Sequence, residues 1–423
     1  MHYFAYKGKR FCAESVPVEE IIAETGTPVY IYSEKTLKRH YKAFDKAFAK
    51  TPKLICYSVK ANSNIAVLRT FASEGGGFDI VSAGELYRAL KAGADPSKIV
   101  YSGVGKREDE IEYGLRSRIL MFNVESPQEL RAIDSIAARL RKKAGVAIRV
   151  NPNVDPKTHP YISTGLKKNK FGIEAEEALR EYVHARAHLK NIDPIGVDCH
   201  IGSQITEISP FVDALAKTRE LVLSLRGEGI AVKYLDMGGG LGINYDKEEP
   251  PHPTRYGEAV LEGTKGLGVT LIFEPGRAMV GNAGILVTRV LYTKKGSMKN
   301  FVIVDAGMND LARPSLYGSY HAVKPVRDKG REEISVDVAG PICESGDFLA
   351  KDRLIPAVEP GEFLAVMSAG AYGFSMSSNY NTRPRAAEVM VSGKEFHVIR
   401  QRENLSDLLR GEQLVRQGRR KNR

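Results

Sequence analysis

The central part of the chain alternates short apolar runs with longer stretches in which apolar residues recur at the helical period. The first run, Leu54-Ile55-Cys56-Tyr57-Ser58-Val59, has no polar alternation, which predicts a strand buried on both faces as in a parallel sheet. It stops abruptly on Lys60. Further strand patterns fall at 77–81, 99–102, 119–122, 146–150, 195–200, 232–237 and 270–274, each separated from the next by a helix-like segment. Eight strands alternating with helices over about 240 residues predict a (β/α)8 TIM-type barrel rather than an open doubly wound sheet.

The helix starts are marked by chemistry. Leu37, Tyr41, Phe44 and Phe48 share one face of a helix that begins at Ser33, and Ser82-Ala83-Gly84-Glu85 and Ser126-Pro127-Gln128-Glu129 are capping boxes. After about residue 285 the period changes from helix to strand, with strands predicted at 286–293, 301–305, 334–338, 363–367, 387–391 and 396–400, the last two joined at Ser392-Gly393-Lys394. Helical pattern returns only from Leu405. Residues 1–33 read as short strands around Lys7-Gly8-Lys9, a helix after Ser15 and Pro17, and a strand at 29–32 that has no core of its own. The expected organisation is a barrel over 34–285, and a β-rich domain over 286–423 that includes the N-terminal strands of 1–33 and completes the active site.

Composition changes this picture little. With 43% hydrophobic and 27% charged residues over 423 positions, the chain is an ordinary globular one. The net charge of +11 favours anionic ligands, but no motif supports a nucleic acid partner. The densest basic patch is the tail Arg416-Gln417-Gly418-Arg419-Arg420-Lys421-Asn422-Arg423, read as a solvated terminus. Cys12, Cys56, Cys199 and Cys343 are widely spaced without a metal-like pattern, so neither disulfides nor a metal site are expected. No segment has signal-peptide or membrane-spanning character, and the expected location is the cytoplasm.

Active sites of this barrel lie at the carboxyl ends of the strands, with phosphate sites near strands seven and eight. Lys60 stands at the end of the first strand, where it either snorkels to solvent or, when buried, loses its proton and becomes a nucleophile able to form a Schiff base. Asp79, Arg149, His200 and Ser203 fall at the ends of strands two, five and six. After strand seven comes Gly238-Gly239-Gly240-Leu241-Gly242, and after strand eight Glu274-Pro275-Gly276-Arg277. The glycine run is either a phosphate-binding turn or a tight strand-to-helix turn; no helix pattern opens directly after it, which argues against a dinucleotide fold. A lysine, a histidine, a carboxylate and a phosphate cradle at one mouth suit pyridoxal 5′-phosphate.

Tyr57-Ser58-Val59-Lys60-Ala61-Asn62, Phe78-Asp79-Ile80-Val81-Ser82-Ala83-Gly84-Glu85, the 200–204 stretch, the glycine run and Glu274-Pro275-Gly276-Arg277 together resemble the alanine-racemase-fold group of pyridoxal phosphate decarboxylases. Within it the chain closely resembles the diaminopimelate decarboxylase family, and the likeness continues through Arg313-Pro314-Ser315-Leu316-Tyr317, Cys343-Glu344-Ser345-Gly346-Asp347, Gly370-Ala371-Tyr372-Gly373 and Asn381-Thr382-Arg383-Pro384-Arg385. The resemblance implies that Lys60 carries pyridoxal 5′-phosphate, helped by Asp79, and that His200 stacks on its ring. Ser203, Gly238, Gly239, Gly240, Gly276, Arg277 and Tyr372 are implied on its phosphate side, and Glu274 at the pyridine nitrogen. Racemases of the same fold place an arginine at that nitrogen, so Glu274 implies decarboxylation.

Arg277, Arg313 and Tyr317, with Tyr372 beside them, are implied in gripping the distal carboxylate of meso-2,6-diaminopimelate, and Glu344 its distal ammonium. Relatives that act on ornithine hold a distal amine with an acidic group instead. Cys343 is implied as proton donor, contributed with Glu344 across a homodimer interface; without its motif it reads as a small buried hydrophobe. The implied product is L-lysine. Alternatives are decarboxylation of carboxynorspermidine, ornithine or arginine, or a regulatory relative without catalysis. Arg149 is either a structural ion-pair partner or a cofactor neighbour, and the 158–171 loop either a mobile cover or a solvated connection.

Overall fold

The computed structural model describes residues 2–415 except 157, 160, 161, 163 and 166–168. The basic tail from Arg416, and Lys167 and Lys168 of the 158–171 loop, lie outside the described residues.

Eight parallel strands close a barrel in chain order: Lys53–Ser58, Gly77–Ile80, Ile99–Tyr101, Met121–Val124, Ala144–Arg149, Ile192–Asp198, Tyr234–Asp236 and Thr270–Phe273. The eighth pairs back onto the first, Leu271 opposite Lys53 and Phe273 opposite Ile55, so the sheet has no open edge. The fourth strand starts two residues later than its hydrophobic run suggests, because Ile119 and Leu120 form the approach to it.

Period two explains the burial of the first strand on both faces. Ile55 and Tyr57 point outward into the helix layer, where Tyr57 lies 4.4 Å from the Phe71 ring. Cys56 points inward to Val100, Met121, Ala147, Ile195 and Ile272, which fill the barrel. Towards the carboxyl ends the buried positions turn polar: Ser58, Asp79, Asn123, Arg149, Asp198 and Asp236. Apolar filling below and polar groups above give the barrel one chemically equipped mouth.

Helix Glu34–Ala47 starts where expected, with the Ser33 hydroxyl accepting the Thr36 N–H, and buries Leu37, Tyr41 and Phe44. Ser82 and Ser126 likewise cap their helices, but the returning bonds differ from a capping box. Glu85 and Glu129 accept the N–H of Val81 and Glu125, one residue before each cap.

The second sheet is built around Gly284–Lys295, which pairs with Asn300–Val304 and Phe363–Val366. Strand Val29–Ser33 is inserted between Gly284–Lys295, antiparallel, and Ala387–Ser392, parallel. Its Val29 and Ile31 pack with Ile285, Val287, Val389 and Val391, so the N-terminal segment takes its core from the far end of the chain. Two strands, Val323–Pro325 and Phe348–Pro356, have no counterpart in the sequence pattern. The second carries Lys351-Asp352-Arg353 at its centre, with Asp352 at φ +48° and irregular register against its partner, which erases the alternation. Beyond Leu405 the described residues form a 3-10 turn, Asp407–Leu409, and no α-helix. Among the described residues no helix is long and apolar enough to cross a membrane.

Candidate active site

Lys60 sits one step past its strand, in the 3-10 turn Val59–Ala61. The turn is pinned from both sheets: the Tyr57 hydroxyl donates to Asn62 O, the Asn62 amide to Gly370 O, and the Tyr372 N–H to Ala61 O. The Lys60 amine donates to Asp79 Oδ2 at 2.8 Å, and the Ser58 hydroxyl lies 2.8 Å from the same oxygen. Burial draws the amine towards losing its proton, as the sequence reading expects, but Asp79 and Glu274 outweigh it and hold the Lys60 pKa above its ordinary value. In the cofactor-free protein Lys60 is an ammonium ion.

Below Lys60 lies a buried acidic floor. Asn123 offers its amide to Glu274 Oε1 at 3.1 Å, Asp236 Oδ2 at 3.2 Å and Ser102 Oγ at 3.1 Å, and the Ser102 hydroxyl lies 3.3 Å from Glu274 Oε1. Burial, reinforced by Asp236, Asp79 and Asp198, pushes the Glu274 carboxyl well above the usual range; Asp236 rises to about 6, with burial again the leading cause. Arg149 is engaged in structure. Its guanidinium pairs with Glu125 at 2.9 Å and donates to the His200 carbonyl at 3.1 Å. His200 Nδ1 accepts the Gly239 N–H, which places any ring proton of the neutral imidazole on Nε2. Burial, with Arg149 and Lys60 nearby, keeps that imidazole neutral by lowering its pKa well below the ordinary value.

The glycine run is shaped by close approach. Gly238 has φ +62°, and a Cβ on Gly239 would lie 2.3 Å from Glu274 O. The Gly238 N–H goes to Asp236 and that of Gly239 to His200, leaving Gly240 as the member of the three that lines the cavity. Opposite stand Arg277 and Arg313, both donating to the Tyr245 hydroxyl, at 2.8 and 2.5 Å. Arg277 also reaches Ser203 Oγ and lies over the Tyr372 ring, and Arg313 reaches Ser319. Among the described residues neither guanidinium has a carboxylate partner, and the Nε atom of each is buried without an acceptor. Lys60, His200, Ser203, Gly240, Glu274, Gly276, Arg277, Arg313, Tyr317 and Tyr372 all face one cavity.

Residues 34–281 match the family described as "Pyridoxal-dependent decarboxylase, pyridoxal binding domain". Diaminopimelate decarboxylase of Vibrio cholerae is 52% identical over 410 residues, covering 96% of this chain and 98% of that protein. The chain belongs to the diaminopimelate decarboxylase family. A solved diaminopimelate decarboxylase from M. jannaschii superposes with a TM-score of 0.94 at 39% identity, covering 98% of each chain. The Helicobacter pylori diaminopimelate decarboxylase, solved in complex with L-lysine, has a TM-score of 0.90 at 46% identity, covering 93% of this chain and 98% of that one.

Family membership makes this chain a pyridoxal 5′-phosphate-dependent decarboxylase, and the diaminopimelate decarboxylase cavity fits that cofactor. An amine is present for its aldehyde, an acid for its ring nitrogen, and an arginine with an unpartnered Nε for its anionic end. Asp79 is reached through Lys60. Gly238 and Gly239 lie behind the lining. Cys343 is exposed, its N–H held by Asn381 Oδ1, and neither it nor Glu344 lines this chain's cavity. Ser58, Ser102, Asn123, Asp236 and Tyr245 were not singled out from the sequence. The faint signals were the polar ends of strands one, three, four and seven, and an aromatic closing the loop after the glycine run.

Proposed function

We propose that this chain decarboxylates meso-2,6-diaminopimelate to L-lysine, as a cytoplasmic homodimer. The observation that carries the substrate is the pair of buried guanidiniums, Arg277 and Arg313, which share the Tyr245 hydroxyl and have no carboxylate partner among the described residues. Such a pair demands an anion, and a substrate with a carboxylate at each end supplies one to the site while presenting the other for removal. A decarboxylase of a diamine precursor would need an acid there.

Lys60 would anchor the cofactor through its amine, and Asp79 orients the Lys60 nitrogen and balances its positive charge whenever the amine is free. Bound pyridoxal 5′-phosphate supplies an aldehyde for amines and an electron sink for the pair left when carbon dioxide departs. Glu274 would stand at the ring nitrogen and favour a proton there. Neutral His200 would pack on the ring without adding charge to it. Ser203, Gly240 and the Gly276–Arg277 turn, backed by Gly238 and Gly239, would hold the phosphate side with Tyr372. Arg277, Arg313 and Tyr317 orient the distal carboxylate.

Cys343 and Glu344 serve the cavity of a second copy of the chain, Glu344 holding the distal ammonium and Cys343 delivering the proton that replaces the lost carboxylate. Their exposure and their absence from this chain's own lining support that reading. Four free cysteines suit a reducing compartment. The working division is a barrel over 34–285 and a β-rich domain over 1–33 and 286–423, the latter joined by strand Val29–Ser33.

The test is product release by cofactor-loaded protein from meso-diaminopimelate, beside ornithine, arginine and carboxynorspermidine, with Lys60→Ala as control. Lysine formed only from diaminopimelate, and lost in the variant, is expected. Turnover of another substrate in preference overturns the reading of Arg313, and absence of any turnover overturns the enzyme reading.

A further inference from the structure

Two carboxyl groups meet under the cavity with a single amide between them. Glu274 ends strand eight, Asp236 ends strand seven, and Asn123, fully buried on strand four, donates to an oxygen of each, at 3.1 and 3.2 Å. One oxygen each of Asp236, Glu274 and Asp198 lies within 4.8 Å of the others, and carboxylates that close in a buried site repel when all are ionised, which favours a proton on the pair. The other Asp236 oxygen accepts the Gly238 N–H at 2.9 Å, which fixes the pair to the glycine turn.

We infer that Glu274 and Asp236 act as one carboxyl pair, aligned by Asn123, that stores a single proton in the free protein and hands it to the cofactor's ring nitrogen on binding. The inference rests on the reading that Glu274 faces that nitrogen. The transfer balances without a co-reactant. The Glu274 O–H bond breaks with its electron pair kept on the carboxylate, and the ring nitrogen's lone pair forms the N–H bond. The ionised Glu274 left behind retains Asn123 and Ser102 as donors, and Asp236 adds negative charge that holds the proton on the ring.

The surroundings favour one stored proton. Asp79 and Asp198 face the pair from strands two and six, Cys56 from strand one, and Lys60 and Arg149 from the rim, with Arg149 already paired to Glu125. Burial among so many acids raises both carboxyls, Asp236 to about 6 and Glu274 further. Asn123 and Asp236 are therefore positioning residues for Glu274. Neither lines the cavity.

The experiment uses the full-length protein loaded with pyridoxal 5′-phosphate labelled with nitrogen-15 in the ring, whose chemical shift reports ring protonation. It is paired with a count of protons taken up on loading, by calorimetry in buffers of different ionisation heat. Asp236→Asn keeps the shape and an oxygen for Gly238 but removes the charge. It should lower the pH at which the ring loses its proton by roughly one to three units, and raise proton uptake towards about one more per cofactor, because Glu274 is then already ionised. Asn123→Ser, a second variant should Asp236→Asn not fold, strips a donor from Glu274, makes it more basic, and moves the shift towards the unprotonated value at every pH.

Glu274→Gln separates the two levels of the claim. If it moves the shift while Asp236→Asn and Asn123→Ser change neither shift nor proton count, the carboxyl pair is overturned and the Glu274 reading stands. If Glu274→Gln leaves the shift unmoved, Glu274 does not face the nitrogen and both fall.

Discussion

Replacing Asp79 with asparagine removes the carboxylate that holds the Lys60 amine at 2.8 Å while keeping the shape of the side chain. Burial alone would lower the Lys60 pKa, and Asp79 is the leading group that raises it, so the direction is down. An opposite charge at this range moves a pKa by about one to three units. The Lys60 side chain is 36% exposed, so solvent screening selects the lower half, about one to two units. Only the neutral amine attacks the cofactor aldehyde, so its fraction at a fixed pH below the pKa rises about 10- to 100-fold. The assay mixes cofactor-free protein with pyridoxal 5′-phosphate in a stopped-flow spectrometer and follows the lysine adduct from about pH 7 to about pH 10. Both rates should climb about tenfold per pH unit across this range, with Asp79→Asn loading about 10- to 100-fold faster at each pH. A variant rate equal to or below the native one at every pH would refute the reasoning and leave Asp79 a purely steric guide.

Three further outcomes are expected. Arg313→Met removes one of two cations from the carboxylate subsite; truncating one partner of a buried charge pair costs about 2–4 kcal/mol, so kcat/KM for diaminopimelate should fall about 30- to 900-fold. Tyr245→Phe deletes the hydroxyl shared by both arginines and should raise KM about tenfold with a smaller change in kcat, seen in steady-state kinetics. His321 is fully buried against the Tyr245 ring, and burial lowers its pKa to about 3. The unfolded chain binds a proton below about pH 6.5 that the folded chain refuses, so this group's contribution to stability is lost as pH falls from about 6.5 towards 3. Urea unfolding at about pH 7 and pH 5 should show His321→Gln recovering about 2 kcal/mol of the native protein's acid loss.

The barrel was legible because each strand is buried on both faces and each helix carries an apolar stripe, two periods that a chain displays openly. Strand Val29–Ser33 could be seen as a strand, and the second sheet takes it in between two C-terminal strands by antiparallel and parallel pairing. Phe348–Pro356 was hidden, since its exposed charged centre and irregular register carry no alternation. At the site, reactive side chains announced themselves at strand ends, as with Lys60, Asp79, His200 and Glu274. The groups that tune them did not. Asn123 and Asp236 lie 113 residues apart and become neighbours only when the barrel closes. Likewise, the charge state of Lys60 depends on partners brought from strands two and eight. Burial alone, which is all that the strand pattern displays, has the sign opposite to the one these partners impose.

The most direct test of the central claim compares carbon dioxide release from meso-diaminopimelate, which has a carboxylate for the arginines and a second for removal, and from L-lysine, which has only one. One carbon dioxide per diaminopimelate consumed and none from lysine is expected, because lysine has a single carboxylate and cannot both be gripped by the arginines and present a carboxylate for removal. Comparable release from lysine, or two equivalents from each diaminopimelate, would contradict it.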